Sequence, residues 1–435
     1  MKRLLIVSPH FPPVNAPDHQ RVRMALPYFR DHGWAAEVVA VEPGQVLAPH
    51  DPFLVATLPA DVPVHRVRSL STGWGRLPGL GSLGYRCLPA ITRRLHGLLR
   101  SDPRPTLVYF STTQFAVHGA IPGLAKLPGV KVALDYQDPW VSTYYQEHPA
   151  ITPPGGRLKY AINRFFARRQ QTRALRHVAG CTSVSARYFE QIRPAHPWLR
   201  DEQLLVLPFG GAAHDFEILR QHPVPQHHFP RRTDPGAPLN WVYAGRGGPD
   251  MARALNGFFG GLKLALPLQP ELANLRIHFL GTDYAAGDRA RPTVKPLAEA
   301  AGLGQLVIEK PHRLGYGETL QCLLDADALI IPGSDDSGYT ASKLYPYILA
   351  RRPLLAIFHR ESSVVDVLRS TRAGTCITFD AATSGTALAR AVHEQWFQAQ
   401  AYRQPPATDW AAFEPYTARA MTARLCGFFD RLMPA

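Results

Sequence analysis

The sequence predicts an α/β protein of two Rossmann-like domains facing one another across a cleft. Three observations carry that prediction. Short, continuous apolar runs alternate with helix-periodic stretches, the mark of parallel strands buried on both faces. The alternation runs twice, and a proline-crowded stretch without periodicity separates the two runs. The 435 residues exceed one ordinary core and suit two of about 200 residues each.

Residues 4–7 form the first apolar run, followed by a Pro-rich loop (8–17), a helical pattern over 20–32 ending at Gly33, and a strand at 36–41. This is a βαβ unit, whose first loop is where doubly wound sheets place a ligand. Strands follow at 106–110, 131–136, 181–184 and 204–207, with helices near 117–127 and 157–177. Pro223, Pro225, Pro230, Pro235 and Pro238 then break the pattern. Beyond them strands are expected at 240–244, 276–280, 306–309, 328–331, 353–357 and 374–378. Helices are expected near 251–266, 293–301, 316–322, 342–350, 363–369 and 416–433. The expected organisation is a first domain over 1–213, a linker over 214–238 and a second domain over 239–410. A C-terminal helix over 411–435 can pack back on the first domain.

Hydrophobic residues at 46% and charged ones at 19% describe a folded globular chain. A formal charge of +14, mostly from arginine, suits anionic partners such as phosphates, nucleic acid or an acidic membrane, without choosing among them. It equally suits plain solubility. Five widely spaced cysteines with no C-x-x-C argue against zinc and a disulfide framework, and fit a reducing cytoplasm. The apolar start stops at Ser8-Pro9-His10, too soon for a signal peptide, and no run approaches a membrane span. Residues 157–177 interleave Arg157, Lys159, Arg164, Arg168, Arg169, Arg173 and Arg176 with Leu158, Tyr160, Ile162, Phe165, Phe166 and Leu175. Such a helix either lies on anionic lipid or packs its apolar face on the first sheet.

Three segments carry candidate chemistry. The strand at 328–331 leads through Gly333, Asp335 and Asp336 to Thr340, Ser342 and Lys343 at a helix start. A helix start offers unpaired N–H groups to an anion, Thr340 or Ser342 can cap it, and Lys343 adds a charge. The strand at 240–244 runs into Gly245-Arg246-Gly247-Gly248, with Arg253 beyond, so a diphosphate can approach glycine backbone beside two guanidinium groups. In the first half, Asp135-Tyr136-Gln137-Asp138-Pro139-Trp140 joins carboxylates to an aromatic platform, as a sugar site needs, with His118 on the preceding stretch. Asn15, Arg21 and Trp140 are the acceptor-side candidates. An ordinary capped helix, a structural aspartate and a surface histidine are the plain alternatives. No G-x-S-x-G, H-E-x-x-H or Walker loop supports a hydrolase, zinc protease or P-loop enzyme.

The opening from Ile6 to Pro13, the block from Asp135 to Trp140, Thr182-Ser183-Val184-Ser185 and the stretch from Tyr339 to Tyr347 together resemble glycosyltransferase family 4, retaining enzymes of GT-B architecture. The resemblance spans nearly the whole chain. It implies transfer of a sugar from a nucleoside-diphosphate donor to a glycan or lipid-linked acceptor, with Arg246, Arg253, Ser342 and Lys343 on the diphosphate. His118 and Asp138 then face the transferred sugar as the catalytic candidates. Beside the resemblance, the residues themselves set further expectations. Asp335 and Asp336 are adjacent rather than spaced as D-x-D, so no metal is expected, and no cofactor beyond the co-substrate. The cysteines fit a cytoplasmic enzyme, peripheral at the membrane face if the basic 157–177 stretch meets anionic lipid, with no nucleic-acid partner. One departure stands out: the family's two glutamates, which bracket seven residues, are Gly338 and Pro346 here. Asp335 or Asp336 is the candidate stand-in for the first, and nothing replaces the second. Because proline lacks an N–H, the helix either starts later or bends there. A sugar-nucleotide epimerase or hydrolase, or a non-catalytic subunit binding a partner transferase, are the alternatives.

Overall fold

The computed structural model describes residues 1–73, 81–141, 152–153, 156–234, 236–283, 285, 289–336 and 343–433. By its internal contacts the chain forms two units: Met1–Gly210 with Ala418–Ala435, and Gly211–Thr417.

Unit 1 is built on a seven-stranded parallel sheet: β1 (Lys2–Val7), β2 (Trp34–Val41), β3 (Val64–Val67), β4 (Thr106–Ser111), β5 (Val130–Tyr136), β6 (Gly180–Ser183) and β7 (Leu204–Val206). Their order is β3-β2-β1-β4-β5-β6-β7. The chain therefore works outward in one direction, returns to the centre, and continues in the other. Ile6 pairs with Val38 on one side and with Tyr109 on the other, so the reversal lies between β1 and β4. Helix α1 (Gln20–Ala25) is short because Pro27 forces the next residues into 3₁₀ turns. Helix α2 (Leu83–Ser101) buries Leu83, Cys87, Ile91, Leu95, Leu98 and Leu99, a helical stripe in the unit's core. Helix α3 (Gly156–Leu175) buries only Gln171, Ala174 and Leu175 near its end.

Unit 2 opens with α4 (Ala213–Gln221), which occupies the start of the stretch expected to be linker from 214 on; Phe216 and Leu219 are buried there. Its six parallel strands are β8 (Leu239–Ala244), β9 (Leu275–Leu280), β10 (Val307–Lys310), β11 (Ala328–Pro332), β12 (Leu354–His359) and β13 (Thr375–Phe379), ordered β10-β9-β8-β11-β12-β13. Here the reversal falls between β8 and β11. Helix α5 (Ala252–Ala265) follows β8, α6 (Leu344–Leu349) follows β11, and α7 (Gly385–Val392) follows β13. Because α6 starts at Leu344, Pro346 stands in its first turn, where no N–H is required, so the helix begins late rather than bending. The last helix, α8 (Ala418–Leu432), belongs to unit 1. Both sheets are thus doubly wound α/β layers, as in the GT-B architecture.

Candidate functional site

Ligands of doubly wound sheets bind outside the carboxyl ends of the strands, at the point where strand order reverses. In unit 2 that point lies between the ends of β8 and β11. Beyond β8, Gly245 N–H donates to Leu280 O (2.8 Å) and Gly247 N–H to Thr282 O (2.8 Å), laying the glycine loop over the end of β9. Helix α6 is tied to the same place. The Tyr347 hydroxyl accepts from Ala244 N–H (2.7 Å) and donates to Ala244 O (3.2 Å). This brings Lys343, just ahead of α6, across the β8 terminus. A Cβ on Gly245 would sit 2.3 Å from Lys343 Nζ, so glycine leaves the room that the ammonium occupies.

Lys343 Nζ is buried and has no hydrogen-bond partner among the described residues. The Tyr243 ring centroid lies 5.6 Å from it. Burial first, then the charges of Arg246 and Arg313, lower its pKa to about 8. Three cations thus converge without a carboxylate on the lysine, an arrangement suited to an anion. Arg246 grips Asp250 through both outer nitrogens (2.9 and 2.6 Å), which holds its fork at the loop and keeps the Asp250 carboxyl below its ordinary pKa. His312 and Arg313 stand at the end of β10, beside Gly281 at the end of β9.

The other expected residues of this half divide in two. Asp335 N–H donates to Asp250 O (2.8 Å), and its carboxylate lies 3.6 Å from Arg253 Nε. Arg253 Nη1 is taken by the carbonyls of Asp380 and Thr383 (3.0 Å each), so that arginine braces the loop after β13. Asp336 N–H donates to the Ser334 hydroxyl (3.1 Å). Gly338, Thr340 and Ser342 lie outside the described residues. Among the described residues no three His, Cys, Asp or Glu side chains group as metal ligands.

In unit 1 the reversal point is closed by Asp18. Its carboxylate pairs with His10 Nδ1 (2.8 Å) and accepts from the Thr112 hydroxyl (2.8 Å). Burial opposes ionisation there, and the His10 bond and charge outweigh it, so the pKa falls below the ordinary value. Arg21 departs from its expected role. It is fully buried, with Nε on Asp135 Oδ2 (2.8 Å), Nη2 on Leu207 O (2.6 Å) and its guanidinium 4.9 Å from the Phe209 centroid. Asp135 also accepts from Ser111, Gln137 and Thr182, which leaves neither partner for an acceptor. Asn15 is half-buried, its N–H donating to Pro49 O (2.7 Å).

His118 and Trp140 do come together, with ring centroids 4.7 Å apart, and Phe110 and Phe115 complete an aromatic surround. His118 is buried, and neither ring nitrogen has a partner among the described residues. Burial pushes its pKa down to about 3, so it is a buried, neutral imidazole and not a surface histidine. Trp140 lines a cavity of about 270 Å³ with Tyr136, Arg164, Arg168 and Tyr188. Asp138, exposed near it, has its carboxyl pKa raised, first by the protein crowding one side and then by Asp18. A larger hollow of about 440 Å³ sits by Leu354 and Thr375, at the opposite edge of the second sheet from Lys343.

The sequence matches no protein-family model and no curated protein. Solved structures match over almost the whole chain. Anabaena HepE in complex with UDP and glucose is 14% identical at a TM-score of 0.57, covering 99% of this chain and 100% of HepE. An α,α-trehalose-phosphate synthase (UDP-forming) from Burkholderia xenovorans is 10% identical at 0.55, covering 99% and 100%. A putative UDP-N-acetylglucosamine 2-epimerase from Listeria monocytogenes is 12% identical at 0.52, covering 99% and 96%. At these identities the likeness is one of fold.

Proposed function

We propose that this chain is a metal-independent glycosyltransferase that moves a hexosyl group from a nucleoside-diphosphate sugar to a glycan or lipid-linked acceptor, with retention of anomeric configuration. Unit 2 takes the donor and unit 1 the acceptor. The observation that carries the reading is the buried Lys343 ammonium, without a partner among the described residues, beside Arg246 at the strand-order reversal of the second sheet. A departing diphosphate builds negative charge, and two preplaced cations stabilise that charge more than they stabilise the bound ground state. In unit 1, the raised pKa of Asp138 suits a group that takes a proton from an acceptor hydroxyl. His118, held neutral in its aromatic surround, contributes shape and a hydrogen-bonding edge instead. The fold likeness to UDP-binding structures supports a uridine nucleotide as the first ligand to test.

Calorimetric titration with UDP is that test. Arg246→Ala and Lys343→Ala are each expected to lose a charge-assisted contact of about 1.5–3 kcal/mol, roughly a 10- to 150-fold weaker Kd. Unchanged affinity in both variants overturns the donor assignment. Donor turnover without acceptor would instead identify an epimerase or hydrolase on the same edge. Nucleotide binding with no turnover would identify a non-catalytic subunit.

A further inference from the structure

Helix α3 presents a surface that the proposed transfer chemistry does not use. Leu158, Ile162, Phe165 and Phe166 fall at i, i+4, i+7 and i+8, one face of the helix. If that face packed on the sheet of unit 1, these side chains would be covered. They are instead 77%, 48%, 55% and 57% exposed, and the helix is held on its other side, by the buried Gln171, Ala174 and Leu175 and the half-buried Ala167. Four large apolar groups in water on consecutive turns are a standing cost unless something covers them.

The charges say what covers them. Between Gly156 and Arg176 there are seven Lys or Arg residues and no Asp or Glu. Arg169, Arg173 and Arg176 continue the same face beyond the apolar stripe by helical spacing. Arg169 lies over the Phe165 ring (5.5 Å to the centroid), and Arg176 lies over the half-exposed Trp198 (5.3 Å). A protein partner would need an acidic rim around an apolar groove, and a second copy of this face would set arginine against arginine. A nucleic acid would leave the aliphatic groups in water. An anionic bilayer meets both demands, because acyl chains receive the apolar stripe while headgroups meet the arginines. No helix among the described residues is long and apolar enough to cross a membrane, so the contact is made at the surface.

We propose that α3 docks this protein on the surface of an anionic lipid bilayer, its Leu158–Ile162–Phe165–Phe166 stripe entering the interface and its arginines holding the headgroups. The proposal stands independently of the reaction above.

The test is co-sedimentation of the full chain with phosphatidylglycerol-containing and pure phosphatidylcholine vesicles over a salt series. Binding is expected to the anionic vesicles at low salt and to weaken as salt rises. Phe165→Ser and Phe166→Ser should each weaken it about tenfold, and Arg169→Gln and Arg173→Gln about fivefold each. Because all four positions are exposed, the melting temperatures of these variants should match the parent. A Phe165→Trp variant should shift its fluorescence to the blue on anionic vesicles, which charge adsorption alone would not produce. No association at low salt overturns the proposal, as does anionic binding that ignores the phenylalanine substitutions. Self-association or RNA binding that the same substitutions abolish, without vesicle binding, overturns it in favour of those partners.

Discussion

Lys343 makes the donor edge pH-sensitive. Its pKa near 8 in the free protein means that the ammonium loses its proton as pH rises past that value, well below the 10.5 of an ordinary lysine. A bound diphosphate raises the pKa again, so binding takes up a proton in that range. Nucleoside diphosphate affinity should therefore be greatest near pH 7, where the terminal phosphate (second pKa about 6) is ionised and the lysine protonated, and fall as pH passes 8. In Lys343→Met the affinity should be weaker and that step absent; a calorimetric pH series that leaves the step in the variant refutes the assignment. The Arg21–Asp135 pair is a different kind of residue feature, fully buried and serving stability. Arg21→Met strands the Asp135 carboxylate, and denaturant unfolding of unit 1 should show a loss of about 3–5 kcal/mol. The loops that carry Arg246 and Lys343 are legible in the sequence because each has a local signal, a glycine turn after a strand and a helix start. The groups that fix them are not. Tyr347 and Ala244 are 103 positions apart, as Asp18 and Thr112 are 94 apart, and only the folded sheet makes them neighbours. The same holds for Arg21, whose partner Asp135 is 114 positions away.

At the scale of elements, strands announced themselves better than helices. Runs buried on both faces, such as Ala328–Pro332, have no polar positions to confuse them. The exception is β3, an edge strand whose Val64, His65 and Arg66 are only partly buried, so its sequence carries no apolar run. Helix α2 is masked in the sequence because Pro89 and two glycines interrupt an otherwise regular stripe. Helix α4 was hidden by the prolines that follow it. The α5–α7 contact was equally silent, because its signal is absence of side chain. A Cβ on Gly261 would meet Val392 Cγ1 at 2.6 Å and Ala389 O at 3.0 Å, so the helices touch almost backbone to backbone. Gly261→Ala should lower the melting temperature, since overpacking costs about 1–3 kcal/mol and helix propensity offsets only about 1. Gly97→Ala on α2, with nothing within 4 Å, should raise it. A melting experiment in which both substitutions move the same way would disprove the close-contact account.

For the whole molecule, connectivity matters most. Unit 2 is inserted into unit 1, and its ends meet: Gly211 N–H donates to Tyr416 O (2.7 Å), and Gly211 bridges to Thr417. Helix α8 then completes unit 1. Phe429 packs edge-on to Trp34 and Tyr109 (centroids 5.7 and 5.0 Å), and Arg21 Nη1 reaches Met421 Sδ (3.6 Å). Ending the chain after Thr417 should therefore damage the distant N-terminal half and spare the adjacent one. Limited proteolysis of that truncated protein should degrade unit 1 and leave a resistant fragment beginning near residue 211 that still binds UDP. A unit 1 as resistant as in the parent would show that α8 is dispensable.

The insertion also sets an order of maturation on the ribosome. The polypeptide of unit 1 emerges first, yet its final helix follows only after the 207 residues of Gly211–Thr417. At about 5–20 residues per second that interval is roughly 10–40 s. Throughout it, the aromatic groove of Trp34 and Tyr109 that Phe429 later fills stands open, and by its end unit 2 has all its strands. Unit 1, whose strands emerge before those of unit 2, is thus finished after it, and it is the nascent unit 1 that a chaperone would have to shelter.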